Sequence, residues 1–407
     1  MASSRRSVYG LDGFVFFVAD VLTAFGPFVA VYLTSQHWTQ LDIGLVLTIA
    51  GLVALAGQMP GGALVDAARS ERRLAALAVA AIGASALVLA IWPIFPVVLS
   101  AVALHAAAVC VLGPAIAAIS LGLVGHAGIG ERLGRNARFA SLGTGLAAVA
   151  MGASGYFFSN QAAFFVTAAA IIPALISLAL IRESEIDPER AHGGNNKGNV
   201  AAGEPHPPHR VESLGRLLRR RALLIVAGYV TLFQLANAAM LPLLGVVVTM
   251  RSSEWATVLV AASIVVPQLV VAALSPFIGR CAQRHGRRPL LLLGFAAVAI
   301  RGLLFAVVSD PYLLVAAQVF DGIAASVFSV MVPFVVADIA RGTGRFNLSL
   351  GIVGTGTGIG ASLSTTLAGY VSDHFGSAAA FLGLAGIAAV GLALVWTLMP
   401  ETRRATE

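Results

Sequence analysis

The sequence is poor in charge, lysine and cysteine. Of its 407 residues only 11% are charged while 58% are hydrophobic, and its mean hydropathy is +0.88. A soluble fold of this length needs far more charge to cover its surface, so the composition belongs to a polytopic membrane protein. The two cysteines, Cys110 in an apolar run and Cys281 in an arginine-rich one, exclude a disulfide framework and a cysteine-based metal site. The apolar runs are continuous rather than alternating, which excludes a membrane β-barrel. No ATP-binding motif occurs, no metal-ligand spacing and no nucleophile paired with a base, so neither a cofactor nor an enzyme active site is expected. Lysine appears once, as Lys197, and the remaining positive charge is arginine, a bias of GC-rich bacterial coding sequences.

Twelve spans of about 20 residues would use about 240 residues and leave short loops. The apolar runs place them at about 11–34, 42–66, 74–92, 95–124, 138–158 and 162–182, then 221–249, 256–279, 289–308, 311–340, 346–371 and 376–399. Trp92-Pro93, Ser309-Asp310-Pro311 and Ser372-Asp373-His374 with Gly376 carry turn chemistry between them. The expected fold is therefore an all-α integral membrane protein with 12 transmembrane helices in two six-helix bundles. The domains divide as 1–182, a linker 183–220, 221–399 and a tail 400–407. The linker portion from Glu183 to about Gly215 is rich in Gly, Pro, Asn and charge without apolar period, and reads as loosely ordered. His206 and His209 lie within it; two ligands on such a segment are too few for a metal site.

The net charge of +7 would suit an acidic partner if it formed a patch. Instead, about two dozen basic residues fall at the N-terminus, in alternate loops, in the linker and at the C-terminus, while the opposite loops hold essentially Arg251. That asymmetry places both termini in the cytoplasm and makes the lipid bilayer, not nucleic acid, the partner. The run after Arg5 and Arg6 is too long for a signal peptide and is expected to remain as the first span.

Two stretches half a chain apart share one plan: Gly62 to Leu74, GALVDAARSERRL, and Gly279 to Leu291, GRCAQRHGRRPLL. They resemble the cytoplasmic loop motif G-x-L-x-D-R-x-G-R-R-x-x-L of the major facilitator superfamily. The second copy keeps Gly279, Arg284, Gly286, Arg287, Arg288 and Leu291, with Gln283 for the acid; the first keeps Gly62, Leu64, Asp66 and Leu74, with its arginines displaced to Arg72 and Arg73. A second echo, Gly134-Arg135-Asn136 against Gly342-Thr343-Gly344-Arg345, precedes the fifth and eleventh spans. The resemblance implies parallel halves rocking about a midplane site. It further implies that Asp66 latches against the N-terminus of the eleventh helix, near Arg345, while the inner gate is shut.

An ionisable residue deep in a span costs roughly 2.5–3.5 kcal/mol on insertion scales and so marks a candidate site. Asp20 lies near the centre of the first span. A carboxylate there has its charged form disfavoured by loss of solvent, which suits proton uptake and release, although a purely packing role is also open. Arg301 in the ninth span and Asp321 in the tenth flank the turn at Asp310-Pro311 at depths differing by about 3 Å, so they can pair as a structural tie or as a mobile relay. Gln318 opens a segment resembling the family's R-x-x-Q-G run, with glutamine for arginine and in the tenth span instead of the fourth. The fourth span carries His105, which either titrates or packs. Gln234 and Asn237 share one face of the seventh span and either line a cavity or hold helices together. Gly354-Thr355-Gly356-Thr357-Gly358-Ile359-Gly360 looks like a phosphate loop, but it lies within an apolar span and reads as close helix packing.

The resemblance implies a secondary transporter of small organic molecules working by alternating access as a monomer. Proton-coupled efflux across a bacterial inner membrane is the leading expectation. Proton-coupled uptake of a metabolite is the alternative transport reading, and a channel or non-transporting membrane receptor built on the same scaffold is the alternative of a different class.

Overall fold

In hydrocarbon every backbone N–H and C=O needs an internal partner, so long apolar runs fold as α-helices. The computed structural model describes residues 4–23, 29, 32–159, 161–194, 212–251 and 256–398, and those residues are almost entirely helical. In chain order the long helices are α1 (Arg5–Thr23), α2 (Gln40–Ala67), α3 (Glu71–Ile91), α4 (Phe95–Phe157) and α5 (Ala162–Leu180). They continue as α6 (Arg221–Asn237), α7 (Met240–Arg251), α8 (Ala256–His285), α9 (Arg288–Val307), α10 (Pro311–Ala317), α11 (Val319–Ile339), α12 (Phe346–Phe375) and α13 (Ser377–Leu398).

Polar caps set the starts. Thr39 accepts from the Asp42 N–H at 3.1 Å, Ser70 from the Arg73 N–H at 3.2 Å, and Asp310 from the N–H groups of Tyr312 and Leu313 at 2.8 and 3.0 Å. Asp310 is followed by Pro311 at the first helical position, where a missing N–H costs nothing.

Among the described residues nine helical stretches are long and apolar enough to cross a membrane. One of them, Phe95–Gly155, is about three times longer than a 30 Å hydrocarbon core requires and contains the fourth and fifth expected spans. The expected loop between those two is helical instead. The only break is Gly125, with φ 64° and ψ −177°, a backbone conformation open essentially to glycine alone. The α1 and α12 helices occupy the expected first and eleventh spans but fall outside the nine. Four charged residues lower the hydropathy of α1, and Gly, Ser and Thr lower that of α12.

The chain forms two compact units. The first comprises Met1–Ile129, Phe139–Ser213 and Ala340–Ile352, and the second Gly130–Arg138, Leu214–Ile339 and Val353–Glu407. In the first, α1, α3, α4 and α5 enclose an apolar core that includes Phe14, Val79, Ile82, Leu112, Ile119 and Leu178. Gly143 packs there so closely against the Phe16 carbonyl that a Cβ would collide with it. Cys110 donates to the Ala54 carbonyl at 3.2 Å, and it and Cys281 are both free thiols. In the second unit α9 packs on α13 and α11, and α8 on α11. Phe233 stacks on Phe328 at 3.6 Å between ring centroids, with Phe295 edge-on to both.

The glycine run of α12 is helical, and Gly356 and Gly360 lie against Ala227 and Thr231 of α6, as close helix packing requires. The described start of the linker, residues 183–194, departs from the loose order expected of it. Glu183–Glu185 forms a 3₁₀ turn and Pro188–Ala191 a helical turn capped by Asp187. Ile186 and Ala191 are buried at 5% and 0% exposure. Asp187 before Pro188 is itself a helix-start signal, masked in the sequence by the polar composition around it. His206 and His209 lie outside the described residues.

Candidate functional site

Arg301 projects from α9 and is 1% exposed, the largest fully buried side chain among the described residues. Its guanidinium forms an ion pair with Asp321 of α11. It also donates to Asn237 Oδ1 at 2.7 Å, Gln318 Oε1 at 3.3 Å and Met240 Sδ at 3.2 Å, with the Phe305 ring 5.7 Å away. A planar donor fork of this kind can hold several acceptors at once, which a lysine ammonium cannot match.

The partners lie at interruptions in the helices. Asn237 ends α6 and Met240 begins α7; Gln318 sits between α10 and α11. Backbone groups released at such breaks, together with the side chains there, are the materials from which transporter sites are built. Gln318 is 0% exposed and its Nε2 has no hydrogen-bond partner among the described residues. The pair is asymmetric, since the Asp321 side chain is 19% exposed against 1% for Arg301. The carboxylate is therefore the accessible member.

Of the expected cavity residues, the structure brings Arg301, Asp321, Gln318 and Asn237 together. Gln234 is not part of this group, as its Cβ packs towards Gly360 of α12. His105 is buried, 8% exposed, on α4 in the first unit. The backbone of Asp20 lies within α1, but its side chain is outside the described residues.

The motif residues form two further arrangements. Within the first unit, Asp66 at the end of α2 receives the start of α12. Its Oδ1 accepts from the Asn347 N–H at 3.1 Å and from Asn347 Nδ2 at 2.9 Å, and its Oδ2 accepts from the Leu348 N–H at 2.8 Å. These are N–H groups of a helix first turn, which otherwise lack intrahelical partners and favour a negative charge. Gly62, one turn earlier, lets α2 approach so closely that a Cβ would strike the Asn347 carbonyl. Arg345 lies just before this helix and donates from Nε to the Glu212 carbonyl at 3.4 Å. Arg72 instead donates to the Ile181 carbonyl at 2.7 Å and faces Glu183 at 3.5 Å, while Arg73 is exposed.

Within the second unit, Gly279 lies against the Gly130 carbonyl just as Gly62 lies against Asn347. The counterpart of the acid is the neutral Gln283, also next to Gly130. Gly286 ends α8 at φ 98°. Arg287 pairs with Asp338 at 3.0 Å and lies over the Phe334 ring at 4.5 Å. Arg288 donates to the Trp396 carbonyl and lies over its ring, and Arg284 is exposed.

This assembly of repeated glycine contacts, an acid on a helix start and a buried polar cluster at helix breaks defines a multi-pass membrane transporter. The Major Facilitator Superfamily model matches residues 13–273 and 232–407, and the chain belongs to that superfamily. It is 38% identical over 407 residues to the uncharacterised MFS-type transporters MT2531 and Rv2456c of two Mycobacterium tuberculosis strains, CDC 1551 / Oshkosh and ATCC 25618 / H37Rv, spanning 99% of this chain and 95% of each relative. The fold is similar to that of the human organic anion transporter MFSD10 (TETRAN), with TM-score 0.66 and 16% identity over 96% of this chain and 99% of that one. It is also similar to the proton:xylose symporter XylE bound to 6-bromo-6-deoxy-D-glucose, with TM-score 0.67 and 17% identity over 98% of this chain and 96% of that one. The protein is thus a secondary transporter of small solutes.

Proposed function

We propose that the protein exports small organic molecules across a bacterial inner membrane in exchange for protons, with both termini in the cytoplasm. The observation that carries this reading is the buried Arg301–Asp321 pair, joined to Asn237 and Gln318 at two helix breaks. A charge pair inside a membrane span is a poor way to gain stability, because loss of solvation consumes most of the attraction. Its presence fits a carboxylate whose partner is exchanged during the cycle: Arg301 neutralises Asp321 when the site is empty, and a proton or a substrate group replaces that contact when it is filled. The accessible member is the anion, which supports neutral or cationic substrates over strongly anionic ones. Asp20 is the candidate for the same chemistry in the first unit. The Asp66 contact with α12 acts as the latch released once per cycle.

Export and uptake separate in vesicles. In inverted vesicles acidified inside, a labelled substrate should accumulate, and a protonophore should abolish the accumulation. Accumulation confined to right-side-out vesicles with an inward proton gradient would establish symport instead.

A further inference from the structure

Beside the Asp66 contact, the first unit holds a carboxylate–imidazole pair. Glu71, the first residue of α3, is 3% exposed, and its Oε1 lies 3.0 Å from Nε2 of His192. His192 follows the helical turn Pro188–Ala191, in a segment fixed at its other end to α4. There the Asp187 N–H donates to the Gly122 carbonyl at 3.2 Å, and Ile186 packs so tightly on Gly122 that a side chain there would displace it.

The same few residues hold the turn before α12. The Gly342 N–H donates to the Gly193 carbonyl at 2.6 Å and the Phe346 N–H to the His192 carbonyl at 3.2 Å, while Asn347 Nδ2 donates to the Ala191 carbonyl at 3.3 Å. Asn347 is also the residue that Asp66 holds. His192 therefore grips α3 with its side chain and the start of α12 with its backbone.

We infer that residues 183–194 form a proton-operated clip, in which a protonated His192 bound to Glu71 holds the start of α12 in place and a neutral His192 loosens it. The charged groups around the imidazole are Glu71 of α3 and Asp66 of α2, with Glu189 of its own segment and Arg345 of the turn before α12 lining the same cavity. The arginine among them, Arg345, is engaged elsewhere, with the Glu212 carbonyl at 3.4 Å. The carboxylates therefore dominate the ring's surroundings. A cavity of about 440 Å³ lined by Asp66, Glu189, His192 and Arg345 gives water access to the ring.

Burial opposes the charged ring, but the Glu71 carboxylate at 3.0 Å, the charge of Asp66 and the Val65 backbone outweigh it and hold His192 above the ordinary histidine value. When the segment is released, the ring returns to about 6.5. The pair thus contributes fully below about pH 6.5 and is lost as pH rises through the raised value. The clip would tighten on an acid cytoplasm and release on an alkaline one, whichever residues couple transport to protons.

Hydrogen–deuterium exchange on the full chain in nanodiscs, from about pH 5.5 to about pH 8.5 and corrected for intrinsic exchange, tests this. Protection of the Gly342 and Phe346 amides should fall as pH rises, by up to about tenfold for each unit by which pairing raises the His192 pKa. In Glu71→Gln, which leaves residue 192 intact, and in His192→Gln, protection should be low and independent of pH. A histidine NMR titration supplies the independent measure: the His192 midpoint should lie above about 6.5 in the native protein and drop in Glu71→Gln. Protection independent of pH in the native protein, or an unchanged slope in Glu71→Gln, overturns the clip.

Discussion

Asp321→Ala is expected to destabilise the protein by about 3–5 kcal/mol, because it leaves a buried guanidinium without its counter-charge. Arg301 is 1% exposed, and its remaining partners, Asn237, Gln318 and Met240, are neutral. Thermal unfolding in detergent would register the loss. The informative comparison is with Arg301→Met combined with Asp321→Leu, which removes both charges and keeps most of the volume. Replacing a buried pair by apolar groups is often neutral or stabilising, so the double variant should regain the stability lost by Asp321→Ala. If the pair serves transport, the double variant should nonetheless carry no gradient-driven flux. Recovery of both stability and flux would make the pair a structural tie.

Asp66→Ala is expected to loosen the start of α12. Three donors lose their acceptor, namely the N–H groups of Asn347 and Leu348 and the Asn347 amide. Hydrogen bonds to a charged acceptor contribute about 1.5–3 kcal/mol each when buried, and a helix terminus adds about 0.3–1 kcal/mol for a nearby anion. Asp66 is only partly buried, so the set together contributes roughly 2 kcal/mol. The loss should appear as faster amide exchange at Asn347 and Leu348, with the amides of α9 unaffected. Asp66→Asn, which keeps one acceptor oxygen, should fall between. Gln283 holds the equivalent place beside Gly130 in the second unit without a charge, so Gln283→Ala should have a much smaller effect.

The fold was legible because its main determinants are local in the chain. Continuous apolar runs, proline turns and one-sided arginine specify spans and connections without tertiary information. The span pair around Asp310 even set the depths of Arg301 and Asp321 closely enough for their pairing to be expected, and the structure supplies the rotation about each axis that spacing leaves open.

Two other features were hidden for different reasons. The stretch between the fourth and fifth spans reads as a loop by polarity, yet it stays helical with Gly125 alone carrying the break. The segment around His192 has too few apolar residues to show a period. Its order comes from Ile186, Ala191 and backbone bonds to residues far along the chain. His192, Glu71 and Asn347 were therefore invisible as a group, although Asp187-Pro188 signals the helical turn that places them.

In the proposed cycle, Asp321 is the carboxylate through which substrate and proton exchange. Proton release from detergent-solubilised protein on adding a panel of small organic compounds tests it most directly, comparing the native chain with Asp321→Asn and Asp20→Asn. A compound that binds should release protons from the native protein and none from Asp321→Asn. Binding accompanied by undiminished proton release from Asp321→Asn, or by none from the native protein, would contradict it.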